Sequence, residues 1–166
     1  MQLTLIDPGD LTEYKENYED TKRSFYNLHS ENSKALLKNL FVHIIEQCKS
    51  IAIVRSGDEY ITTAFYCFDA EESSTMLVMF TYNQEKNDAE IILALKKILE
   101  HIQAKYGKIN ITCIILKRTT INYTHLIKSL GFEYESEDAE GEYGGWEQYT
   151  LRYNNSVINN QTEPHN

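Results

Sequence analysis

The stretch 75–107 carries the clearest arrangement of residues that could bind a charged ligand. An almost unbroken apolar run, 75–82, leads through a polar turn, 83–87, into a segment with helical periodicity, 88–106. A buried strand that enters a helix through a tight turn gathers the first backbone N–H groups of the helix in one small space. Those groups have no intrahelical acceptor, and the helix dipole favours an anion beside them. The pattern therefore predicts a place suited to a phosphate group, although many such turns bind nothing.

The three cysteines are the other residues with intrinsic reactivity. Cys48, Cys67 and Cys113 are odd in number, lie among apolar neighbours, and fit no zinc-binding spacing. We expect buried thiols in a reducing compartment, with none of them marked out as reactive.

The charge balance limits the class of partner. With 25 acidic and 16 basic residues, the chain has a formal net charge of −9. Nucleic-acid-binding proteins present lysine- and arginine-rich surfaces to phosphate backbones, so a nucleic-acid partner is not expected. The acidic surface would attract amines or basic peptides, although an acidic excess more commonly serves solubility.

Length and apolar content predict one globular domain. The 166 residues are 42% hydrophobic and 25% charged, which are ordinary globular values. No apolar run approaches the roughly 20 residues of a spanning helix, and residues 1–7 lack the features of a signal peptide. We therefore expect a cytoplasmic protein with no membrane partner.

The first half of the chain predicts a strand, two helices and three more strands. Residues 3–6 form a short apolar strand, ended by a turn at 7–9. A charged helix follows to about residue 29, and a second helix with a broad apolar face runs from 30 or 32 to about 48. Short polar turns then join three strands, which indicates an antiparallel meander: 50–55, 60–68 and 75–82.

The second half predicts a crossover and a hairpin. Asn87 or Asp88 can begin the long helix, and Gly107 can end it in the left-handed conformation. The apolar strand that follows, 108–116, suggests a parallel crossover. The remaining elements are a short helix (122–130), a strand that begins at 132–135, an acidic loop (137–145), a last strand (146–153) and a disordered polar tail (154–166).

This order of elements, with Ser129-Leu130-Gly131-Phe132-Glu133 between a short helix and a late strand, resembles the GCN5-related N-acetyltransferase (GNAT) superfamily. The resemblance covers nearly the whole chain. It implies one α+β domain over residues 1–153, with a three-layer GNAT-like fold. Its sheet would be mixed but mostly antiparallel, with about seven strands and helices on both faces. It also implies a splay between the strands 76–82 and 109–116.

The same resemblance implies an acetyl-CoA site at the turn. The family turn reads Gln or Arg, two residues, Gly, one residue, then Gly or Ala, and here it matches Gln84 to Ala89 with Asn87 at the central glycine. The alternative is that Asn87 and Asp88 merely cap the helix. The implied cofactor-binding residues are Met79, Phe80, Thr81, Gln84, Lys86, Asn87, Asp88, Ala89 and Asn122.

The catalytic expectation rests on a tyrosine. In the family, a tyrosine four residues before the glycine can protonate the departing thiolate, but that position is Ile127 here. Tyr123, one helical turn earlier, could stand in for it, or could simply pack against the sheet. The implied acceptor is a small amine or a basic peptide, with the protein a monomer or homodimer. Because of Asn87, Ile127 and the absence of a carboxylate in 76–82, an inactive binding or structural module is the alternative.

Overall fold

The computed structural model describes residues 2–7, 18–28, 42–44, 46, 48, 50–69, 71–72, 74–116, 123–138 and 145–153. Its elements, in chain order, are β1 (Leu3–Ile6), α1 (Tyr18–Leu28), β2 (Ser50–Ser56), β3 (Glu59–Phe68), β4 (Thr75–Tyr82), α2 (Asp88–Tyr106), β5 (Asn110–Leu116), α3 (Thr124–Ser129), β6 (Glu133–Asp138) and β7 (Trp146–Leu151). Residues 42–44 and 46 are helical. The predicted start of the first helix, most of the second helix and the predicted polar tail lie outside the described residues.

One seven-stranded sheet runs through the described chain, in the order β1-β2-β3-β4-β5-β7-β6. Every neighbouring pair is antiparallel except β4 and β5, which are parallel because α2 carries the chain back across the sheet between them. The predicted meander, crossover and final hairpin are confirmed.

Helices cover both faces of this sheet, which confirms the three-layer prediction. On one face, alternate β4 side chains such as Met76, Val78 and Phe80 pack against α2 and α3. On the other face, Phe25 of α1 and Ile44 pack with β2, β3 and β5 side chains, and Met79 joins them from β4. The alternation of β4 between two cores explains its almost unbroken apolar sequence. No helix in the described ranges is long and apolar enough to span a membrane.

The ends of two elements differ from the sequence-based expectation. Helix α2 has the predicted bounds, and Gly107 follows it with φ 78° and ψ −133°, outside the left-handed helical region that was expected. Strand β6 extends to Asp138, so Glu137 and Asp138 belong to an edge strand and were wrongly placed in a loop. All six β6 residues are exposed, and its charged side chains protect the open edge of the sheet against pairing with other chains.

The parallel pairing of β4 and β5 stops halfway along both strands. The last pair is Val78 with Cys113, although β4 continues for four residues to Tyr82. Meanwhile β5 continues to Leu116 by pairing with Trp146 of β7. The expected splay between the two central strands is therefore present, and the backbone of the last β4 residues borders a gap.

Candidate cofactor site

Asn83 holds the turn between β4 and α2 in place. Its N–H donates to the Ile61 carbonyl across β3 at 2.8 Å, and its Nδ2 donates to the Tyr60 carbonyl at 3.1 Å. Its Oδ1 accepts from the Glu85 N–H at 3.0 Å. The side chain thus ties the turn to β3 and satisfies a donor within it, a role typical of asparagine. This contribution was not predicted.

Asn87 caps helix α2. Its Oδ1 accepts from the Glu90 N–H at 2.9 Å, and its Nδ2 donates to Glu90 Oε1 at 2.9 Å. Its φ of −77° and ψ of 163° are extended, so the positive φ that only glycine or asparagine adopts easily is not required here. The capping prediction is confirmed. Because Asn87 occupies the Glu90 donor, the first-turn N–H groups left for another acceptor are those of Asp88 and Ala89, which are both exposed.

We expect Asn87→Ala to lower the free energy of unfolding by about 1 kcal/mol, because the cap acceptor is lost, and Asn87→Gly to cost only a few tenths of that. Urea unfolding followed by circular dichroism measures both. Asn27→Ala, at an exposed position of α1, is the matched control and should cost nothing. Equal losses in the alanine and glycine variants would contradict the capping role.

Carboxylates dominate the charge at the start of α2. Asp88 and Glu90 both lie in the first helical turn, where they favour the helix but repel an anion. Lys86 forms an ion pair with Glu59, which raises the pKa of the lysine, and its Nζ lies 3.9 Å from Glu90. The Asp88 carboxylate lies 3.1 Å from His125 Nε2. A phosphate here would therefore meet cations that already have acidic partners.

The end of β4 directs backbone groups into the gap beside β5. Backbone groups of alternate strand residues point toward opposite neighbouring strands. Since Asn83 bonds to β3, Thr81 and Met79 also face β3, and the N–H and C=O groups of Phe80 and Tyr82 face the gap. In the described ranges, no strand pairs with β4 at these positions. This edge can offer donors to a ligand carbonyl.

Tyr123 lies at the same gap, immediately before α3. Its side chain is 1% exposed, and its ring packs edge-on against Tyr82 with 5.8 Å between centroids. Burial, with smaller effects from Cys113 and Tyr82, raises the pKa of Tyr123 well above its usual value. Its hydroxyl oxygen is buried without a hydrogen-bond partner in the described structure. A buried phenol without a partner carries an energetic cost, and a ligand group that formed a hydrogen bond with this hydroxyl would offset that cost.

Comparisons with known proteins bear on the fold. No protein-family model and no curated protein matches the sequence. Among solved structures, a Bacillus subtilis acetyltransferase in complex with CoA matches with a TM-score of 0.63 at 10% identity, over 91% of this chain and 99% of that one. A protein from Desulfovibrio desulfuricans assigned to the GNAT family of acetyltransferases gives 0.61 at 12% identity, over 92% and 99%. An N-acetyltransferase from Staphylococcus aureus gives 0.59 at 11%, over 92% and 99%.

The chain has the GNAT fold. At such low identity the likeness concerns the fold, so the site must be judged on the residues that this GNAT-fold chain itself brings together.

The predicted site residues separate into groups. Phe80 and Tyr123 belong to the same buried cluster, in which Tyr123 packs on Tyr82, while Asn87, Asp88 and Ala89 begin α2. Gln84 and Lys86 line a cavity of about 610 Å³ that also borders α1. Met79 packs on the opposite face of the sheet. The Thr81 side chain is fully buried, and its carbonyl accepts from Thr62 Oγ1 at 2.8 Å. Asn122 lies outside the described residues.

One feature at the gap, Tyr82, went unpredicted. Tyr82 packs on Tyr123, and burial with the nearby Asp88 carboxylate raises its pKa to about 12. Tyr82 is two residues after Phe80 in β4, so the two side chains lie on the same face of the sheet. This spacing could have predicted the position of Tyr82. Ile127, at the family tyrosine position, is fully buried in the core. Among the described residues, no cluster of three or more histidine, cysteine or acidic side chains could hold a metal ion.

Proposed function

We propose that the chain binds acetyl-CoA at the gap between β4 and β5 and transfers the acetyl group to an amine. The supporting observation is that Phe80 and Tyr82 lie beyond the last β4–β5 pair in the described ranges, and that Tyr82 packs on Tyr123, whose buried hydroxyl has no hydrogen-bond partner in the described structure. The coenzyme phosphates would reach the N–H groups of Asp88 and Ala89. Both kinds of donor would then be satisfied by one ligand.

These residues suit acyl transfer from a thioester. Acetyl-CoA supplies an acetyl group activated by its thioester bond. The Phe80 N–H, which faces the gap, can donate to the carbonyl oxygen as negative charge develops there. The Tyr123 hydroxyl can hold the proton that the leaving thiolate needs, and its raised pKa keeps it protonated at neutral pH.

A cationic acceptor fits the cavity at the turn that follows β4. The cavity that contains Gln84 and Lys86 is also lined by Arg23 and by four carboxylates, from Asp20, Asp58, Glu59 and Glu85. Asp20 and Glu59 form ion pairs with Arg23 and Lys86, so the walls keep an excess of two negative charges. Such walls attract an ammonium group. The proposed acceptor is accordingly a small amine or a basic peptide.

A second candidate function is that of a GNAT-fold binding module without catalysis. It is favoured by the acidic start of α2, where Asp88 and Glu90 lie in the first turn and Lys86 is already paired with Glu59. It is also favoured by Ile127, which has no proton to give. The two candidates differ in whether a CoA thioester binds at the gap.

Calorimetric titration of the purified chain with acetyl-CoA tests the proposal. We expect saturable binding that Asp88→Asn tightens about fivefold, because removing one like charge near the phosphates is worth about 1 kcal/mol. The variant loses an exposed contact with His125 and one first-turn charge that favours the helix, each worth at most about 1 kcal/mol, so its stability should change little.

Glu133→Gln is the matched control. It makes the same change in net charge on the exposed edge strand β6, and its affinity should equal that of the unmodified chain. Absence of binding at millimolar acetyl-CoA in all three proteins would overturn the proposed function and support the binding module. Equal tightening by both variants would show that only net charge matters and that the phosphates do not lie at α2.

A further inference from the structure

Two of the three cysteines come together on the face of the sheet opposite α2. Cys48 Sγ and Cys67 Sγ lie 3.4 Å apart, although the residues are 19 positions apart in the chain. Cys48 is held at the end of a helical turn, where its N–H donates to the Ile44 carbonyl at 2.7 Å. Cys67 lies on β3, opposite Leu77 of β4. Each sulfur is thus placed by a separate element.

The two thiols share an accessible cavity. It has a volume of about 360 Å³, and both cysteines line it together with apolar side chains and His43. Cys48 and Cys67 are each half-buried, whereas Cys113 is completely buried in the other core. A small reagent can therefore reach the pair but not the third cysteine. The prediction of three unremarkable buried thiols is wrong for Cys48 and Cys67.

The contact also makes the two sulfurs chemically unequal. A hydrogen bond from the Cys48 thiol lowers the pKa of Cys67 to about 7, against the opposing effects of burial and the Asp69 carboxylate. The same contact, together with burial, raises the pKa of Cys48. His43 is the titratable side chain that faces the pair from the neighbouring helical segment. Because the thiolate is the reactive form, Cys67 is assigned as the attacking sulfur of the pair in the reaction below, and the variants test this assignment.

We propose that Cys48 and Cys67 form a reversible dithiol–disulfide site that reacts with small-molecule disulfides. The Cys67 thiolate attacks one sulfur of the external disulfide, whose other sulfur leaves as a thiolate and takes up a proton. Cys48 then loses its proton and attacks Cys67 Sγ, which expels the second small thiol. Two protein thiols are oxidised, and one disulfide is reduced to two thiols.

The geometry requires little movement for this reaction. A disulfide has an S–S distance of about 2.05 Å, so the sulfurs must approach by about 1.4 Å from their 3.4 Å separation. The bond would join the end of the helical segment at Cys48 to β3 and change one wall of the cavity. Met79 and Ile114, which follow the last β4–β5 pair, form another part of that wall.

Treatment of the native full-length chain with glutathione disulfide tests the site. After acid quenching, free thiols are alkylated under denaturing conditions and the protein is digested for mass spectrometry. We expect a peptide pair joined through Cys48 and Cys67, lighter by two hydrogens, with Cys113 alkylated and full reversal by dithiothreitol. Three free thiols, or a bond to Cys113, would overturn the proposal.

Serine variants separate the two roles. Cys48→Ser should stop at a mixed disulfide on Cys67, Cys67→Ser should leave Cys48 largely unmodified, and Cys113→Ser should behave as the unmodified chain. In Cys48→Ala, which removes the hydrogen-bond donor that a serine hydroxyl would replace, Cys67 should return toward the usual thiol pKa of about 8.5, which slows its alkylation at pH 7 about tenfold. Circular dichroism confirms folding of each variant. Equal alkylation of Cys67 with and without Cys48 would contradict the assigned nucleophile.

Discussion

Replacing Tyr123 with phenylalanine should stabilise the fold and at the same time abolish most acetyl transfer. The hydroxyl is buried and has no partner in the described structure, so folding strips it of water without compensation. An unsatisfied buried polar group costs about 1–3 kcal/mol. Its removal keeps the ring and its edge-on contact with Tyr82, so we expect the free energy of unfolding to rise by about 1 kcal/mol or more.

The catalytic half of this expectation follows from the proposed function. A positioned general acid contributes about 10²- to 10⁴-fold to a rate, so Tyr123→Phe should lower kcat by that range while leaving acetyl-CoA affinity nearly unchanged. Urea unfolding and a free-thiol assay for released coenzyme A measure the two effects. Tyr153→Phe, beside Asn110 at the end of β5 remote from the gap, is the control for loss of a phenol and should change neither.

The outcomes for Tyr123 distinguish three situations. Higher stability with lower turnover supports Tyr123 as a proton donor whose buried hydroxyl lowers the stability of the folded protein. Higher stability with unchanged turnover would remove Tyr123 from the mechanism and leave Tyr82 as the other phenol at the gap. Lower stability would show that the hydroxyl has a partner, and it would contradict the argument from burial.

The sequence predicted the elements better than it predicted the site. The apolar run in β4 and the three- and four-residue spacing in α2 are local patterns, and both elements have the predicted bounds. The splay was expected only by resemblance. It arises because β5 keeps its pairing with β7 as far as Leu116 while its pairing with β4 ends at Cys113, which is a tertiary event that no local period records.

Contacts between distant residues account for what the sequence could not predict. The sequence identifies Asn83 only as a polar turn residue, because the carbonyls that accept its hydrogen bonds belong to Tyr60 and Ile61 on β3. Cys48 and Cys67 each looked like an isolated core thiol, because only the packing of a helix end on β3 brings them together. The capping role of Asn87, by contrast, is local, and it was predicted correctly.

The largest loss of stability should come from Asp7→Ala, remote from the gap. The Asp7 side chain is 9% exposed, and its Oδ2 accepts from the Tyr66 hydroxyl at 2.6 Å. The same oxygen lies 2.7 Å from His101 Nε2 and 3.4 Å from Lys105 Nζ. One carboxylate thus ties the end of β1 to β3 and to α2, an arrangement visible only once these three elements are packed together.

The Asp7→Ala substitution removes the carboxylate that Tyr66, His101 and Lys105 contact. Tyr66 is fully buried, so its hydroxyl would lose a charge-assisted hydrogen bond without gaining water, His101 would lose its contact with the carboxylate, and Lys105 would lose a counter-charge. We expect the free energy of unfolding to fall by about 3 kcal/mol. Asp7→Asn keeps an acceptor and should cost less, and Asp138→Ala, on the exposed edge strand β6, is the surface control.

Urea unfolding of Asp7→Ala and Tyr66→Phe, singly and combined, measures the coupling. The two losses should not add, because either change alone already breaks the same hydrogen bond. A loss in Asp7→Ala no larger than that in Asp138→Ala would contradict the cluster. Since none of its residues borders the β4–β5 gap, the folded Asp7→Ala protein should bind acetyl-CoA with unchanged affinity. That comparison separates support of the fold from contact with the ligand.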